Sequence, residues 1–424
     1  MRILFLADNY PPESNAAASR VHERAALWVQ EGHEVTVITS APNFPEGKLY
    51  AGYRNRLVQR ERIDGVDVIR VATLIMPNKG VYFRIADFLS YMVFGTLAGA
   101  FLRRPDVVIA TSPQFFCAVA GWMVSKLKRR PFVFELSDLW PASIRAVGAL
   151  KNRRVLRWVE RMELGLYRKS TQIVALTGAF REDLVSRGID PAKITVIRNG
   201  VDGSRYSPGP KNVELARKLG LEEKLVVGYI GTHGMAHALE GVLAAAELLR
   251  DDGRVAFLLV GTGAKREELL RKRDERGLSN VVMLPSQPKE SIVEYWRLCN
   301  VSLVHLKDDP VFKTVVPSKI FEAMAMGLPI LFAGPEGEAS SIIEQEGCGV
   351  CVPSERPQVL ADAVLHLLED PELVSQLSAA SARAAKDHTR QQQATEFLAV
   401  LRPLAGRQSA EPSNQVSSKE STLV

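Results

Sequence analysis

The chain has 424 residues, of which 46% are hydrophobic and 24% are charged, as in ordinary soluble globular proteins. This length predicts two large domains or three small ones. The net charge of +6 is uneven, because residues 1–190 hold 27 Lys and Arg against 18 Asp and Glu, a surplus of +9 that leaves −3 for the remainder. A basic half suits anionic lipid, a phosphorylated substrate or nucleic acid. Its charge clusters lack the interleaved aromatic residues of a base-stacking platform, so we expect no nucleic-acid partner.

The four cysteines predict reduced thiols rather than a metal site. Cys348 and Cys351 have C-x-x-C spacing, but no second pair completes a zinc site. The only adjacent aspartates near a predicted strand end, Asp308 and Asp309, are better explained as turn residues, so we expect no essential metal. The amino terminus reaches Asp8 after too few apolar residues for a signal peptide. We therefore expect a cytoplasmic protein.

From the amino terminus onward, short apolar runs alternate with segments in which apolar residues recur at helical spacing. This pattern predicts a parallel sheet with right-handed crossovers. Arg2–Ala7 and Val35–Thr39 are predicted strands, and Arg20–Gln30 between them is a predicted helix. The loop Asp8–Ala18 follows the first strand, at the sheet edge where open α/β folds bind ligands. It lacks G-x-G-x-x-G, which argues against a dinucleotide site.

The segment Phe83–Leu102 is apolar almost throughout and is followed by Arg103-Arg104. Arg84 and Asp87 interrupt it, so it falls short of the roughly 20 clean apolar residues of a membrane span. Two interpretations remain open, a helix packed in the core and a helix at an anionic membrane surface. In the second, the aromatic side chains Phe88 and Phe94 would contact lipid.

A second alternation of strands and helices begins at Leu225, after a turn-rich linker around residues 199–210. It predicts a second Rossmann-like domain that ends near residue 386. We therefore expect an α/β fold with domains at residues 1–198 and 199–386 facing each other across one cleft. A crossover helix at 387–402 would return to the first domain, and residues 403–424 would form a polar, disordered tail.

The segment Pro317–Gly327, PSKIFEAMAMG, gives the most specific indication of a ligand. Pro317 suits the first position of a helix, and Gly327 suits the left-handed conformation that ends one. Lys319 and Glu322 are three residues apart and share one helical face. A cation beside free helical N–H groups suits phosphate, and a carboxylate can accept hydrogen bonds from two ribose hydroxyls. The segment predicts a nucleotide site, and the alternative is a surface lysine and a structural glutamate on a crossover helix.

Several short motifs follow one another along the chain: Tyr10-Pro-Pro-Glu, Gly32-His-Glu-Val-Thr-Val, Arg104-Pro-Asp-Val-Val-Ile-Ala, Ser137-Asp-Leu-Trp-Pro, Asn199-Gly-Val-Asp, Tyr229-Ile-Gly-Thr and the segment from Pro317 to Ile330. In this order, from Met1 to about Leu401, the chain resembles the family-4 retaining glycosyltransferases of GT-B fold. It is most similar to the bacterial subgroup for O-antigen and capsule sugars, typified by N-acetyl-fucosamine transferases.

The resemblance implies a nucleotide-sugar donor, with UDP as the expected nucleotide, in the second domain. Glu322 would hold the ribose, and Lys319 would face the diphosphate and assist catalysis. Further donor contacts would come from Gly231, Thr232, His233, Gly234, Ser286, Thr314 and Ser318. The acceptor would lie on the first domain, near Glu13, Asn15 and Arg20, and Asp138 would orient the acceptor or the sugar. No cofactor is implied.

Three positions depart from the family pattern. Thr314 replaces a glutamate that contacts the donor sugar, Thr232 replaces a phosphate-binding arginine, and Ser137 replaces the histidine of a His-Asp pair. Charge neutralisation would therefore depend more on Lys319 and on helix ends, with His233 as a further contributor, and Thr314 hints at a deoxy or N-acetylated sugar.

These features predict a retaining glycosyltransferase of surface polysaccharide synthesis, acting on a polyprenyl-diphosphate-linked or other glycan acceptor at the membrane surface. A nucleotide-sugar epimerase of the same fold is an alternative, although the site is poor in titratable bases. The second alternative is a catalytically weak, membrane-bound partner protein.

Overall fold

The computed structural model describes residues 1–13, 15–44, 47–75, 81–139 and 153–406. Within these residues the strands form two sheets, one in each half of the chain. The first domain contains β1 (Arg2–Leu6), β2 (Glu34–Ser40), β3 (Val58–Ile63), β4 (Val66–Val71), β5 (Val107–Thr111), β6 (Phe132–Leu136), β7 (Gln172–Ala175) and β8 (Ile194–Val196). The second domain contains β9 (Leu225–Ile230), β10 (Val255–Val260), β11 (Val281–Leu284), β12 (Val301–His305), β13 (Ile330–Ala333) and β14 (Gly349–Val352).

Helices connect most of these strands and cover both faces of each sheet. In the first half of the chain they are α1 (Ala16–Gln30), α2 (Val81–Phe101), α3 (Phe115–Lys128), α4 (Arg153–Lys169) and α5 (Gly178–Ser186). In the second half they are α6 (Val213–Lys218), α7 (Leu239–Leu248), α8 (Arg266–Glu275), α9 (Ile292–Trp296), α10 (Lys319–Ala325), α11 (Glu338–Gln345), α12 (Pro357–Glu369), α13 (Pro371–Ala384) and α14 (Arg390–Gly406).

The strand order confirms two Rossmann-like domains. The first sheet has the order β3-β4-β2-β1-β5-β6-β7-β8, and the second has the order β11-β10-β9-β12-β13-β14. All neighbouring pairs are parallel except β3 and β4, which are antiparallel. Central strands such as Val255–Val260 are buried at every residue, as expected when helices cover both faces of a parallel sheet. The edge strand Val58–Ile63 is polar. It could not be predicted from the sequence because it contains no run of apolar residues.

The carboxyl-terminal helix α14 returns to the first domain, as predicted. Trp28 on α1 donates a hydrogen bond from its indole nitrogen to the carbonyl oxygen of Ala394 at 3.0 Å, and its ring packs against Phe397. The helix continues to Gly406, beyond the predicted end at residue 402, because Leu401 and Leu404 extend its apolar face against the same core. Residues 407–424 of the predicted tail lie outside the described residues.

Direct contacts join the two domains. The carboxylate of Glu338, the first residue of α11, accepts hydrogen bonds from the backbone N–H groups of Gly178 at 2.8 Å and Ala179 at 2.7 Å. These N–H groups belong to the first turn of α5 in the first domain, where a carboxylate is electrostatically favourable. Arg198 lies 3.4 Å from the same carboxylate. Glu338 therefore joins the two domains directly.

The apolar segment predicted from Phe83 to Leu102 forms α2, which has one buried and one exposed face. Tyr91 is fully buried, and Phe94 packs against the first-domain core. Among the residues that the structure describes, no helix is both long enough and apolar enough to cross a membrane. The four cysteines are free, and all but the half-buried Cys351 are buried.

Candidate active site

The site residues predicted from both halves of the chain follow strand ends that face each other. Thr177, two residues beyond β7, donates its hydroxyl to the backbone oxygen of Thr314 at 3.1 Å. Thr314 ends a short 3-10 helix, Pro310–Thr314, in the connection after β12. The carboxyl edges of the two sheets therefore adjoin, and this is the edge at which open α/β folds bind ligands.

Lys319 is a buried cation at this edge of the second sheet. The residue is 7% exposed, and its ammonium nitrogen makes no hydrogen bond with any described residue. The nitrogen lies 3.4 Å from the ring centroid of Tyr229 on β9. Burial lowers the pKa of Lys319 to about 7, and the charge of Glu322 opposes that shift. A surface lysine is thereby excluded, and an anion bound here would stabilise the charged ammonium.

The helix that carries Lys319 starts later than predicted. It begins at Lys319 rather than at Pro317, and Ser318 before it is already in the right-handed helical conformation. Gly327 ends it with a φ of +65°, as predicted. Lys319 and Glu322 still lie in the same turn and on the same face of the helix.

Glycines let two loops approach the lysine closely. Gly231, directly after β9, has a φ of +147°, and a methyl group there would lie 2.8 Å from the ammonium nitrogen of Lys319. Gly261, directly after β10, has a φ of +158°, and a methyl group on it would overlap the backbone oxygen of Gly231. Only glycine tolerates such backbone conformations readily. Both positions therefore require glycine to leave room for Lys319 and its loop.

His233 is fully buried beside this loop, and neither of its ring nitrogens has a hydrogen-bond partner among the described residues. Burial, together with the charges of Lys319 and Arg266, lowers the pKa of His233 to about 4. The imidazole is therefore neutral at physiological pH and can donate one N–H to a ligand. His237 and His305 differ, because each places a ring nitrogen within hydrogen-bond distance of the other's backbone oxygen, at 3.2 and 2.8 Å.

Glu322 lies one turn along α10 in a half-buried position. Burial raises the pKa of its carboxyl, and Glu23 adds to the increase, whereas Lys319, Arg390 and Lys289 lower the pKa. Glu23 itself pairs with Arg390 at 2.9 Å, so charges from both domains surround this carboxyl. No ion pair engages Glu322 within the described part of the chain, which leaves its oxygens able to accept hydrogen bonds from a ligand.

The other predicted donor contacts are less directly connected to Lys319. The carbonyl oxygen of Thr232 accepts a hydrogen bond from Tyr229 at 2.7 Å, and Gly234 precedes the short 3-10 helix after that loop. Thr314 directs its hydroxyl back to Val311 at 2.8 Å. Ser286 is exposed just beyond β11, and Ser318 immediately precedes α10. Their contacts with a donor stay predictions.

The three predicted acceptor residues each have a structural partner in the first domain. Glu13 is 2% exposed and accepts hydrogen bonds from the backbone N–H groups of Asn43 and Phe44, both at 2.8 Å. Asn15 caps α1 by accepting from the N–H of Ala18. Arg20 is buried, with its guanidinium 3.3 Å from Glu135. They shape the loop after β1, and their contact with an acceptor stays a prediction.

Asp138 lies two residues beyond β6, at the sheet edge where it was predicted. Its backbone N–H donates to the hydroxyl of Ser112 at 3.2 Å, and the N–H of Ser137 donates to the same hydroxyl at 2.8 Å. These bonds fix the backbone that presents the Asp138 carboxyl. The adjoining Trp140-Pro141 lies outside the described residues.

Tyr229 has a place in the site that the sequence did not reveal. In the sequence this residue stands out only as part of the motif Tyr229-Ile-Gly-Thr, whereas in the structure its ring lies beneath the Lys319 ammonium. The two residues are far apart in the sequence, and a tyrosine in an apolar strand is indistinguishable from a core residue. The glycines that follow β9 and β10 were the available signal, since they mark close approach of the backbone.

Comparison with known proteins agrees with this architecture. Residues 15–200 match the family described as Glycosyl transferase 4-like domain, and residues 212–384 match Glycosyl transferases group 1. The matched ranges leave only the termini and a short linker uncovered.

Two curated relatives are similar over most of the chain. WcaI of Escherichia coli (strain K12), named as a colanic acid biosynthesis glycosyl transferase, is 24% identical over 379 residues, covering 87% of this chain and 92% of that protein. A GDP-mannose-dependent alpha-mannosyltransferase of Mycobacterium tuberculosis is 25% identical over 378 residues, covering 87% of this chain and 89% of that protein.

Solved structures share the whole fold. Anabaena HepE in complex with UDP and glucose has a TM-score of 0.72 at 19% identity, covering 95% of this chain and 99% of that chain. WaaG, a glycosyltransferase involved in lipopolysaccharide biosynthesis, has a TM-score of 0.68 at 14% identity, covering 94% and 99%. The chain therefore belongs to the family-4 glycosyltransferases of GT-B fold.

Proposed function

We propose that this glycosyltransferase transfers a sugar from a nucleoside-diphosphate sugar to a glycan acceptor with retention of anomeric configuration. The observation that carries the proposal is the buried ammonium of Lys319, which has no hydrogen-bond partner among the described residues. A buried charge of this kind calls for a counter-ion. A diphosphate supplies one, and its negative charge grows as the glycosidic bond breaks.

Lys319 would act on the leaving group rather than on the sugar. A cation held in place before the reaction stabilises developing charge without reorganisation, which is typically a large part of enzymatic rate enhancement. The neutral His233 can donate one hydrogen bond to the same phosphates. Lys319 and His233 together compensate for the phosphate-binding arginine that the family pattern has at the position of Thr232. The positive charge is supplied from α10 instead of from the loop.

Glu322 would bind the ribose of the donor. Its position one turn beyond Lys319 matches the order of diphosphate and ribose along a nucleotide, and its oxygens have no competing ion pair among the described residues. UDP is the nucleotide that we propose, because the similar HepE structure holds UDP. The names of WcaI and WaaG support a role in surface polysaccharide synthesis.

The acceptor would be a lipid-linked glycan reached from the membrane surface. On α2, Ile85, Leu89, Val93, Leu97 and Phe101 recur every fourth residue and are between 38% and 89% exposed; we call this set the α2 stripe. Residues four apart are neighbours on the surface of a helix, so the stripe is a row of exposed apolar side chains that winds slowly around α2.

Positive charge lies at the carboxyl-terminal end of the α2 stripe. Arg103 and Arg104 follow α2 directly, and exposed Lys126 and Leu127 lie near the end of the adjoining helix α3. Lys128 donates hydrogen bonds to the carbonyl oxygens of Ala100 in α2 and of Leu102 just after it, which holds the two helix ends together. An apolar face beside clustered cations suits an anionic bilayer. Phe88 and Phe94, expected to contact lipid, are only partly exposed, so the stripe replaces them in this proposal.

A screen of nucleoside-diphosphate sugars by thermal shift tests the donor assignment. A ligand at 100 times its dissociation constant adds about 2.7 kcal/mol of stability, which is readily measured. The stabilising sugar is then incubated with polyprenyl-diphosphate-linked acceptors, and the linkage is determined by NMR. We expect a product with the anomeric configuration of the donor. Conversion of the donor into an isomer without acceptor would contradict the proposal and favour an epimerase.

A further inference from the structure

Tyr229 contacts two parts of the proposed donor site at once. Its ring centroid lies 3.4 Å from the ammonium nitrogen of Lys319, and its hydroxyl donates to the backbone oxygen of Thr232 at 2.7 Å. The residue is fully buried on β9. It therefore links the cation on α10 with the loop at residues 231–234 and has no surface left for a ligand.

The ring provides the Lys319 ammonium with a favourable partner in a place where water is excluded. The negative face of an aromatic ring attracts a cation, and the attraction is strongest when the cation is desolvated. No hydrogen-bond acceptor competes for this ammonium within the described residues. The ring thus stabilises the charged form and leaves the N–H groups of the ammonium available to a ligand.

The hydroxyl of Tyr229 fixes the loop on the other side of the lysine. Thr232, whose oxygen it binds, precedes the buried His233, and the backbone N–H of His233 donates to Thr262 at 2.9 Å. The loop is therefore anchored from β9 and from the connection after β10. A shift of this loop would displace Gly231, which lies against the lysine side chain.

We propose that Tyr229 is a positioning residue that holds Lys319 and the loop at residues 231–234 in the arrangement that receives the leaving diphosphate. This inference rests on the proposed function and assigns a role to a residue that acts through Lys319 rather than by touching the substrate. The contact with the ring also opposes the loss of charge that burial imposes on Lys319.

The alternative for a buried tyrosine is that it only fills the core. Tyr229 does pack in an apolar cluster with residues of β9, β10 and β12. Two substitutions separate the two roles. Tyr229→Phe keeps the ring beneath Lys319 and removes the hydroxyl, whereas Tyr229→Leu keeps an apolar side chain and removes the ring.

The pH dependence of kcat/KM gives a readout that packing alone would not change. This ratio reports ionisations of the free enzyme, and activity that needs charged Lys319 declines as pH rises through the pKa of that lysine, about 7. The titratable groups around the ammonium are Glu322 on α10, His233 and His237 after β9, and His305 on β12. The pKa of each histidine is lowered to about 4 or below. The histidines therefore do not titrate on the basic limb of the profile, where activity declines as Lys319 loses its proton.

The experiment measures kcat and the pH profile of kcat/KM with the nucleotide sugar for the wild type, Tyr229→Phe and Tyr229→Leu. Phe257→Leu is the matched control, because Phe257 is fully buried on β10 in the same apolar cluster. We expect Tyr229→Leu to lower kcat about two- to thirty-fold, the range of a cation–π contact, and to move the basic limb to lower pH. Tyr229→Phe should stay closer to the wild type and keep the basic limb in place.

Unchanged kcat and pH profile in Tyr229→Leu would overturn the inference, as would the same shift of the limb in Phe257→Leu. Circular dichroism and thermal unfolding establish that each variant is folded. A wild-type protein that turns over no nucleotide sugar would instead overturn the proposed function, and this inference with it.

Discussion

A methyl group on Gly231 would lie 2.8 Å from the ammonium nitrogen of Lys319. Gly231→Ala should therefore displace the lysine, in addition to straining a backbone with a φ of +147°. We expect at least a ten-fold loss of kcat. Gly277→Ala is the matched control, since its φ is +61° and nothing lies within 4 Å of the added carbon. It should cost about 1–2 kcal/mol of stability and leave turnover intact. If Gly231→Ala turns over substrate as fast as the wild type, residue 231 does not pack closely against the Lys319 ammonium.

Glu322→Ala should weaken UDP binding about ten-fold or more, because a hydrogen bond to a charged group contributes about 1.5–3 kcal/mol. Calorimetry with UDP and with 2′-deoxy-UDP isolates the ribose contact. The wild type should prefer UDP, and the variant should lose that preference. Burial raises the pKa of this carboxyl, so UDP affinity of the wild type should also decline as pH falls through the raised pKa. An equal preference in both proteins would exclude Glu322 as the ribose ligand.

Glu338→Ala should loosen the contact between the two domains. The carboxylate accepts two backbone hydrogen bonds from the first turn of α5, and charged hydrogen bonds of this kind contribute about 1.5–3 kcal/mol each. We expect a lower melting temperature and a larger radius of gyration in small-angle X-ray scattering. Glu336→Ala, at an exposed residue just before α11, should change neither. A compact Glu338→Ala protein would show that other contacts hold the domains together.

Leu97→Glu combined with Phe101→Glu should reduce binding to anionic liposomes. The two residues are 50% and 89% exposed on the α2 stripe, so the substitutions should not disturb the core. Wild-type binding should also weaken with salt, since each basic residue near the surface contributes about 1 kcal/mol through screened attraction. The control is Val213→Glu combined with Leu248→Glu, two exposed apolar residues in the second half of the chain. If the wild type fails to bind at low salt, a soluble acceptor becomes the better proposal.

The order of strands and helices could be predicted because apolar runs alternate with helical spacing along the whole chain. The placement of Lys319 and Glu322 in one helical turn was predictable because the two residues are three apart in the sequence. The sequence predicts the start of α10 two residues early, because Pro317 suits a first helical position although the helix begins at Lys319.

Contacts between distant residues could not be predicted in this way. An apolar helix such as α2 does not show which side faces the core, so Phe94 was assigned to the lipid face although it packs inward. The carboxyl of Glu13 is bound by backbone N–H groups some 30 residues away, and no local pattern signals this. The position of Tyr229 beneath Lys319 depends on the packing of α10 against β9, which only the folded chain establishes.

Proton uptake on UDP binding shows whether Lys319 receives the diphosphate. The pKa of Lys319 is about 7 in the free protein, so at pH 8 most molecules carry a neutral lysine. Bound diphosphate should restore the charge, since an adjacent anion favours the protonated amine. Calorimetry at pH 8 in two buffers of different ionisation enthalpy should therefore give nearly one proton taken up by the wild type and none by Lys319→Met. Binding of UDP to the wild type without proton uptake, or equal uptake by both proteins, would show that Lys319 does not receive the diphosphate.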